Sequence, residues 1–306
     1  MYELIHVKGN SYYIQSPAKI GLYKVSDEEV VIIDSGNDKD AGRKVRQVLD
    51  REGWKLRAIY NTHSNADHIG GNQYLQKQTG CKIYAPGIEA DFTNHTILEP
   101  AFLYGGFPPK DLRHKFLMSQ ESECEYLTNE NIPDGFEIIE LPGHFFDMVG
   151  FRTPDNVVYL ADCLSSKATL DKYGIGFIYD IAAYIETLEM VKEMKADVFV
   201  PAHADAAETI AELAQLNIDK VNEIADNIVH ILSESQNACG AAVCENKTGL
   251  TFEIILKKLF EHYNLVMNFE QYVLIGSTVK SYLSYLKDQG RITASFENNM
   301  LIWKKA

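Results

Sequence analysis

The chain has 306 residues, 46% of them hydrophobic and 24% charged, and carries a formal net charge of −14. That length suits one large domain plus a small one, and the composition is that of an ordinary globular protein, which excludes disorder. From Lys247 onward eight Lys/Arg stand against five Asp/Glu, a net +3, which leaves −17 on the first 246 residues and disfavours nucleic acid as the default substrate.

The opening "MYELIHVKGNSYYIQ" lacks the basic start and apolar run of a secretory signal. Runs such as "VVII" and "VFVPA" fall far short of the roughly 20 apolar residues a membrane-spanning helix needs. A cytoplasmic chain with no membrane partner is expected. The five cysteines (Cys81, Cys124, Cys163, Cys239, Cys244) form no Cys-x-x-Cys pair, so they indicate neither a thiolate zinc site nor a disulfide framework.

In chain order, "YELIHVKG", "SYYIQSP", "GLYKVS" and "EEVVIIDSG" read as short strands broken by Gly, Pro or Ser. A helix follows over about 41–52, with Val45, Val48 and Leu49 on one face, then the strand "LRAIYNTH", a helix over 71–79 and the strand "KIYAP". Residues 87–135 show weak periodicity and Gly-Gly and Pro-Pro pairs, and read as an irregular insertion whose Tyr104 and Phe107 are candidates for a substrate lid. Next come strands in "FEIIELPGH", "VGFRT" and "NVVYLAD", a helix over 181–194 and the strand "DVFVPAH". A helix over about 218–232 closes the main domain, and the linker lies in "SESQNACGAAVCENKTG". Two amphipathic helices and a hairpin around Asn298-Asn299 then outline a winged-helix-like domain over 249–306. Mixed sheets with helices packed outside accommodate this order of elements.

The polar residues of interest all stand where an apolar strand stops. Asp34 ends "EEVVII"; His63, Asn65, Asp67 and His68 follow "LRAIYNT"; His144 follows "FEIIELPG"; Asp162 ends "NVVYLA"; His203 follows "DVFVPA". Catalytic zinc needs neutral imidazoles and carboxylates converging on one point with a position left open for water. Each residue alone is commonplace, but five strand-end sites in one order, one of them a loop with four donors, point to a metal centre. His6, His95, His114, His230 and His262 lack such a context and receive no role.

This set, in the surroundings "IIDSG", "NTHSNADHIGG", "ELPGH", "YLAD" and "PAH", resembles the five ordered motifs of the metallo-β-lactamase superfamily over about residues 1–232. The resemblance implies an αββα sandwich with a two-metal, zinc-type site on the shared strand edge, in the style of its glyoxalase II-like branch. It implies His63, residue 65 and His144 on one metal, Asp67, His68 and His203 on the other, and Asp162 bridging. Asp34 would orient the ligand loop from behind, and Asp67 would help position a hydroxide held between the metals.

Residue 65 departs from the pattern, since asparagine stands where the family has histidine. A neutral amide oxygen is a harder and weaker donor than imidazole. Two metals with iron or manganese at the first position, a one-metal hydrolase, and metal binding without catalysis all remain open on this reading. The leading expectation is a metal-dependent hydrolase of a small carbonyl substrate, a thioester, lactone or amide. The alternatives are a nuclease whose winged helix grips RNA or DNA, and a non-catalytic metal-binding regulator; a homo-oligomer is left open.

Overall fold

The Val-, Ile- and Tyr-rich stretches at the start of the chain form a meander of four strands, β1 (Glu3–Lys8), β2 (Ser11–Gln15), β3 (Ile20–Lys24) and β4 (Glu29–Ile33), each antiparallel to the next. The computed structural model describes residues 2–238 and 249–306. After β4 the topology changes: α1 (Lys39–Glu52) returns the chain to β5 (Lys55–Tyr60), and α2 (Ala66–Ile69) and α3 (Asn72–Thr79) lead to β6 (Lys82–Ala85). β5 and β6 join in parallel, and β7 (Glu125–Tyr126) completes a seven-stranded sheet in sequence order. α1 starts where the Asp38 side chain accepts the Ala41 N–H and stops at Gly53, whose φ of 74° suits glycine.

The second sheet runs in the order β11 (Val198–His203), β10 (Val157–Ser165), β9 (Val149–Arg152), β8 (Glu137–Glu140). Its inner face meets that of the first sheet through Tyr23, Val31, Ile33 and Tyr60 on one side and Phe151, Val157 and Tyr159 on the other. The Tyr159 hydroxyl crosses this interface to donate to the Tyr12 carbonyl at 2.6 Å. On the outer face of the first sheet, Val45 and Val48 of α1 and Leu75 of α3 bury against Ile32 and Ile59. On the outer face of the second, α7 (Ile181–Glu193) and α8 (Ala211–Ala238) bury Leu188, Ile224 and Ile228 against Leu160. The layers therefore run helix, sheet, sheet, helix, as expected.

Two stretches differ from the sequence expectation. Residues 87–135 are not irregular throughout: they hold α4 (Gly87–Asn94), α5 (Leu98–Tyr104) and a 3₁₀ turn at Lys110–Leu112. Helices of seven or eight residues are too short to register a 3.6-residue period in the sequence. α8 begins at Ala211 rather than 218 and runs to Ala238, into the stretch read as a linker from Ser233; the remainder of that stretch, with Cys239 and Cys244, lies outside the described residues. A further helix, α6 (Lys167–Tyr173), follows β10, capped by Ser166 accepting from the Thr169 N–H.

Toward the C-terminus come α9 (Phe252–His262), α10 (Phe269–Asp288) and the hairpin β12 (Ile292–Glu297)–β13 (Met300–Lys305). Asn298 and Asn299 hold its turn at φ of 50° and 62°, the left-handed pair that a tight hairpin favours. Leu256, Leu259, Val279 and Tyr282 belong to the same buried cluster as Leu160 and Leu188. The C-terminal elements thus share the core outside the second sheet. Among the described residues no helix is long and apolar enough to cross a membrane.

Candidate metal centre

The strand ends at one edge of the sandwich carry the polar residues singled out above. Asp34 leaves β4 with a φ of 64°, a left-handed conformation that aspartate tolerates better than most residues. Its carboxylate accepts three hydrogen bonds, each 2.8 Å long: from the Thr62 N–H and hydroxyl, and from His68 Nδ1. Because the Thr62 hydroxyl donates to Asp34, its oxygen is free to accept the Nδ1–H of His63, at 3.0 Å. One buried carboxylate thereby sets two imidazoles, leaving Nε2 of each as the atom that faces the site.

Asp162 is presented by a distortion of β10. The pairing with β11 shifts register on either side of Ala161, which sits at φ 49°. Such a bulge re-aims the following side chain, here toward the loop of residues 63–68. His144 follows Gly143, whose φ is 117° and whose position would place a Cβ 2.3 Å from the Tyr184 nitrogen. Only glycine fits so close an approach.

Two groups of donor atoms result. Asp67, His68, Asp162 and His203 bring one atom each within 4.8 Å of one another, as do His63, His144 and Asp162. His203 Nε2 lies 3.1 Å from Asp162 Oδ2 and 3.5 Å from Asp67 Oδ2. His68 Nε2 lies 3.0 Å from Asp162 Oδ1, yet both atoms, together with His63 Nε2, are buried without a hydrogen-bond partner. Buried polar atoms are nearly always satisfied. Three buried polar atoms without a hydrogen bond, at ligand-to-ligand separations, fit a cation, and the imidazole and carboxylate set fits a divalent transition metal.

Electrostatics agree. Burial works against charge on His68, but Asp162, Asp67 and Asp34 together hold its imidazolium well above the ordinary range. The Asp162 carboxylate beside His203 pushes that imidazole up to about 10. Asp162 and Asp67 are desolvated, but their histidine neighbours drive both well below the usual carboxylate range. Burial and the neighbouring His68 lower His63 instead, and burial lowers His144, so the two imidazoles of the first group are neutral and suited to ligation. In the other group, positive charge gathers on histidines facing two carboxylates.

Asn65 stands at the start of α2 without capping it. Its Nδ2 donates to Glu99 Oε1 at 2.8 Å, and its Oδ1 faces His144 Nε2 at 3.2 Å. Glu99, on α5, is 6% exposed, and burial pushes its carboxyl well above the usual range. Glu89, on α4, is fully buried and accepts from the Ser64 N–H, the Ser64 hydroxyl and the Asp147 N–H, so it ties the 63–68 loop to the loop after His144. Both glutamates escaped sequence reading. The available signal was an acidic residue in the apolar runs "GIEADF" and "TILEPAF".

A cavity of about 890 Å³ opens beside Asp67, His144, Asp162 and His203. Its walls include Phe177, Lys19, Lys172 and Lys220, and Gln271, Leu274 and Tyr282 of α10. Tyr104 and Phe107 lie elsewhere: they are 43% and 73% exposed, and the Tyr104 ring packs 6.1 Å from that of Phe269. Neither borders this cavity. Cys163 is wholly buried among apolar side chains, where desolvation raises its thiol pKa.

The comparisons with known proteins agree with this geometry. The family profile described as the metallo-beta-lactamase superfamily matches residues 7–203. A hydroxyacylglutathione hydrolase from Nitrobacter winogradskyi is 43% identical over 131 residues, 42% of each chain. One from Hyphomonas neptunium is 45% identical over 106 residues, 35% of this chain and 32% of its own. The matches thus span less than half the length of these curated relatives. Among solved structures, a beta-lactamase domain protein from Burkholderia ambifaria superposes with a TM-score of 0.71 at 15% identity, covering 99% of this chain and 94% of that one. A metallo-beta-lactamase family protein from Thermus thermophilus gives 0.68 at 12% identity, covering 99% and 97%. These two likenesses extend the shared fold through the C-terminal elements. With the five strand-end motifs converging as described, the chain belongs to the metallo-beta-lactamase superfamily.

Proposed function

We propose that this protein is a metal-dependent hydrolase of a small acyl substrate, with a hydroxyacyl thioester as the first candidate. His63, Asn65 and His144 would hold one ion, Asp67, His68 and His203 a second, and Asp162 both. Zinc suits the imidazole-rich set, and the amide oxygen of Asn65 leaves iron or manganese as alternatives at the first position. The observation that carries the reading is the convergence of His63 Nε2, His68 Nε2 and Asp162 Oδ1, all buried and unpartnered. Bound ions would supply a water of lowered pKa and a Lewis acid for the carbonyl oxygen.

The chain's own residues supply the rest. Asp34 and Thr62 fix the imidazole tautomers. Asp67, whose side chain is 44% exposed, presents a carboxylate toward the cavity and is placed to orient the attacking water. The Phe177 ring, 5.6 Å from that of His144, forms an apolar wall that keeps bulk water off the reacting carbonyl. Lys19 Nζ donates to the Ala204 carbonyl and Lys220 pairs with Glu223, so Lys172 is the cavity-wall cation that suits a substrate with an anionic carrier portion. The relatives named hydroxyacylglutathione hydrolase support the thioester reading over a nuclease or a non-catalytic regulator.

The test is hydrolysis of a hydroxyacyl-glutathione thioester, a β-lactam and a phosphodiester by the wild type and Asp67→Asn. Thioester turnover that falls about 100-fold or more in the variant, the scale of misplacing a reacting group, supports the reading. Phosphodiester turnover without thioester turnover would overturn it.

A further inference from the structure

The asparagine at position 65 removes an imidazole from the first group of donors, and the structure holds a second departure that answers it. An asparagine at a helix start normally turns its side-chain oxygen back onto the N–H groups of the first turn. Asn65 stands at the start of α2 and makes no such bond. Its amide is held instead by Glu99 of α5, 34 residues further along, whose Oε1 accepts from Nδ2 at 2.8 Å. The carboxyl is buried at 6% exposure and accepts this hydrogen bond from Asn65.

An amide has one acceptor end and one donor end. Committing Nδ2 to Glu99 directs Oδ1 the other way, and there it accepts from His144 Nε2 at 3.2 Å. Two ligands of one tetrahedral ion, each about 2.0–2.1 Å from it, stand about 3.3 Å apart. Oδ1 and His144 Nε2 have that spacing, and His63 Nε2, the second imidazole donor of this corner, is buried without a partner.

We propose that Glu99 is the positioning residue that makes Asn65 a metal ligand, holding its amide so that Oδ1 occupies the place left by the missing imidazole. The asparagine and the buried glutamate thus act as one unit contributed by the 63–68 loop and by α5. Without Glu99 the amide is free to rotate, to cap α2 or to present its N–H₂ end, which cannot ligate. The inference rests on the metal-centre reading above, and its test separates the two.

The full chain is stripped with chelator and titrated with Co²⁺, following stoichiometry and the visible absorption of the bound ion. The variants are Glu99→Met, Glu99→Gln and Asn65→Leu. The wild type is expected to bind two ions. Glu99→Met and Asn65→Leu are expected to keep the ion of Asp67, His68, Asp162 and His203 and to lose or weaken the other by at least tenfold. Glu99→Gln, whose side-chain oxygen still accepts from Nδ2, is expected to stay within about tenfold of the wild type, a rescue that loss of packing would not give. Two ions of wild-type affinity in Glu99→Met overturn the role of Glu99 and leave the metal centre standing. Fewer than two ions in the wild type overturn both. Should Glu99→Met fail to fold, Asn65→Leu decides: two ions of unchanged affinity there overturn the proposal.

Discussion

Asp34 Oδ2 lies 2.8 Å from His68 Nδ1, and the same oxygen accepts the Thr62 hydroxyl that receives His63. A single carboxylate at the end of β4 therefore organises both histidines of the loop after β5. The parallel pairing of these two strands keeps their ends together, since Ile33 lies opposite Tyr60.

Replacing Asp34 tests that role. Asp34→Asn keeps the left-handed backbone and one acceptor oxygen but loses an acceptor for the buried donors. Metal affinity is expected to fall about 10- to 100-fold, as for other residues that hold a ligand from behind. Asp34→Ala adds the strain of alanine at φ 64°, about 1–2 kcal/mol. Metal titration and urea unfolding measure the two effects; an Asn variant that binds as the wild type does would contradict the assignment.

Gly143 positions His144 through a close approach to α7. A Cβ at this residue would stand 2.3 Å from the Tyr184 nitrogen, at a φ of 117° that alanine does not tolerate. Gly143→Ala is expected to cost more than about 2 kcal/mol in urea unfolding and to weaken the first ion through displacement of His144. A change below about 0.5 kcal/mol, the scale of a harmless surface substitution, would show that the loop yields freely.

Glu89 joins two ligand-bearing loops by accepting from Ser64 and the Asp147 N–H. Glu89→Ala leaves those donors buried and unpaired, at about 1–3 kcal/mol each before relaxation. Urea unfolding should show a loss of at least about 2 kcal/mol. A variant as stable as the wild type would mean that the two loops hold their places without this brace.

The charge arrangement predicts how chelator-treated protein responds to pH. His203 is raised from 6.5 to about 10 by Asp162. A group whose folded pKa lies above its unfolded one contributes stability that is complete below the unfolded value and lost as pH climbs through the folded value. Between pH 6.5 and 10 the thermal midpoint of chelator-treated protein should fall by at least about 2 °C, the shift expected for about 1 kcal/mol in a chain of this size. A flat or rising midpoint would mean the His203–Asp162 pair carries no such charge. The same protons compete with a cation, so metal affinity should rise with pH over this window.

The metal-type residues were legible because each follows a short apolar strand rich in Val and Ile, and strand ends gather at one edge once the sheet forms. The layer order followed from the same alternation of elements. Glu89 and Glu99 were not legible: they sit on helices of eight and seven residues, and an acidic residue in a short run does not announce its partner. Tyr104 and Phe107 read as lid candidates from composition, but neither borders the cavity, whose wall includes Phe177 and residues of α10. That wall joins segments far apart in the chain, which no local pattern encodes. The length of α8 was underestimated because its last turns, from Ser233, are small and polar and read as linker composition.

The proposed two-ion centre, bridged by Asp162 and completed by Asn65, sets the metal content of the chain. Elemental analysis of protein purified without chelator, for the wild type beside Asp162→Ala, tests it most directly. The account predicts about two transition-metal ions per wild-type chain and a clear loss in the variant. One ion or none in the wild type, or unchanged content in Asp162→Ala, would contradict it.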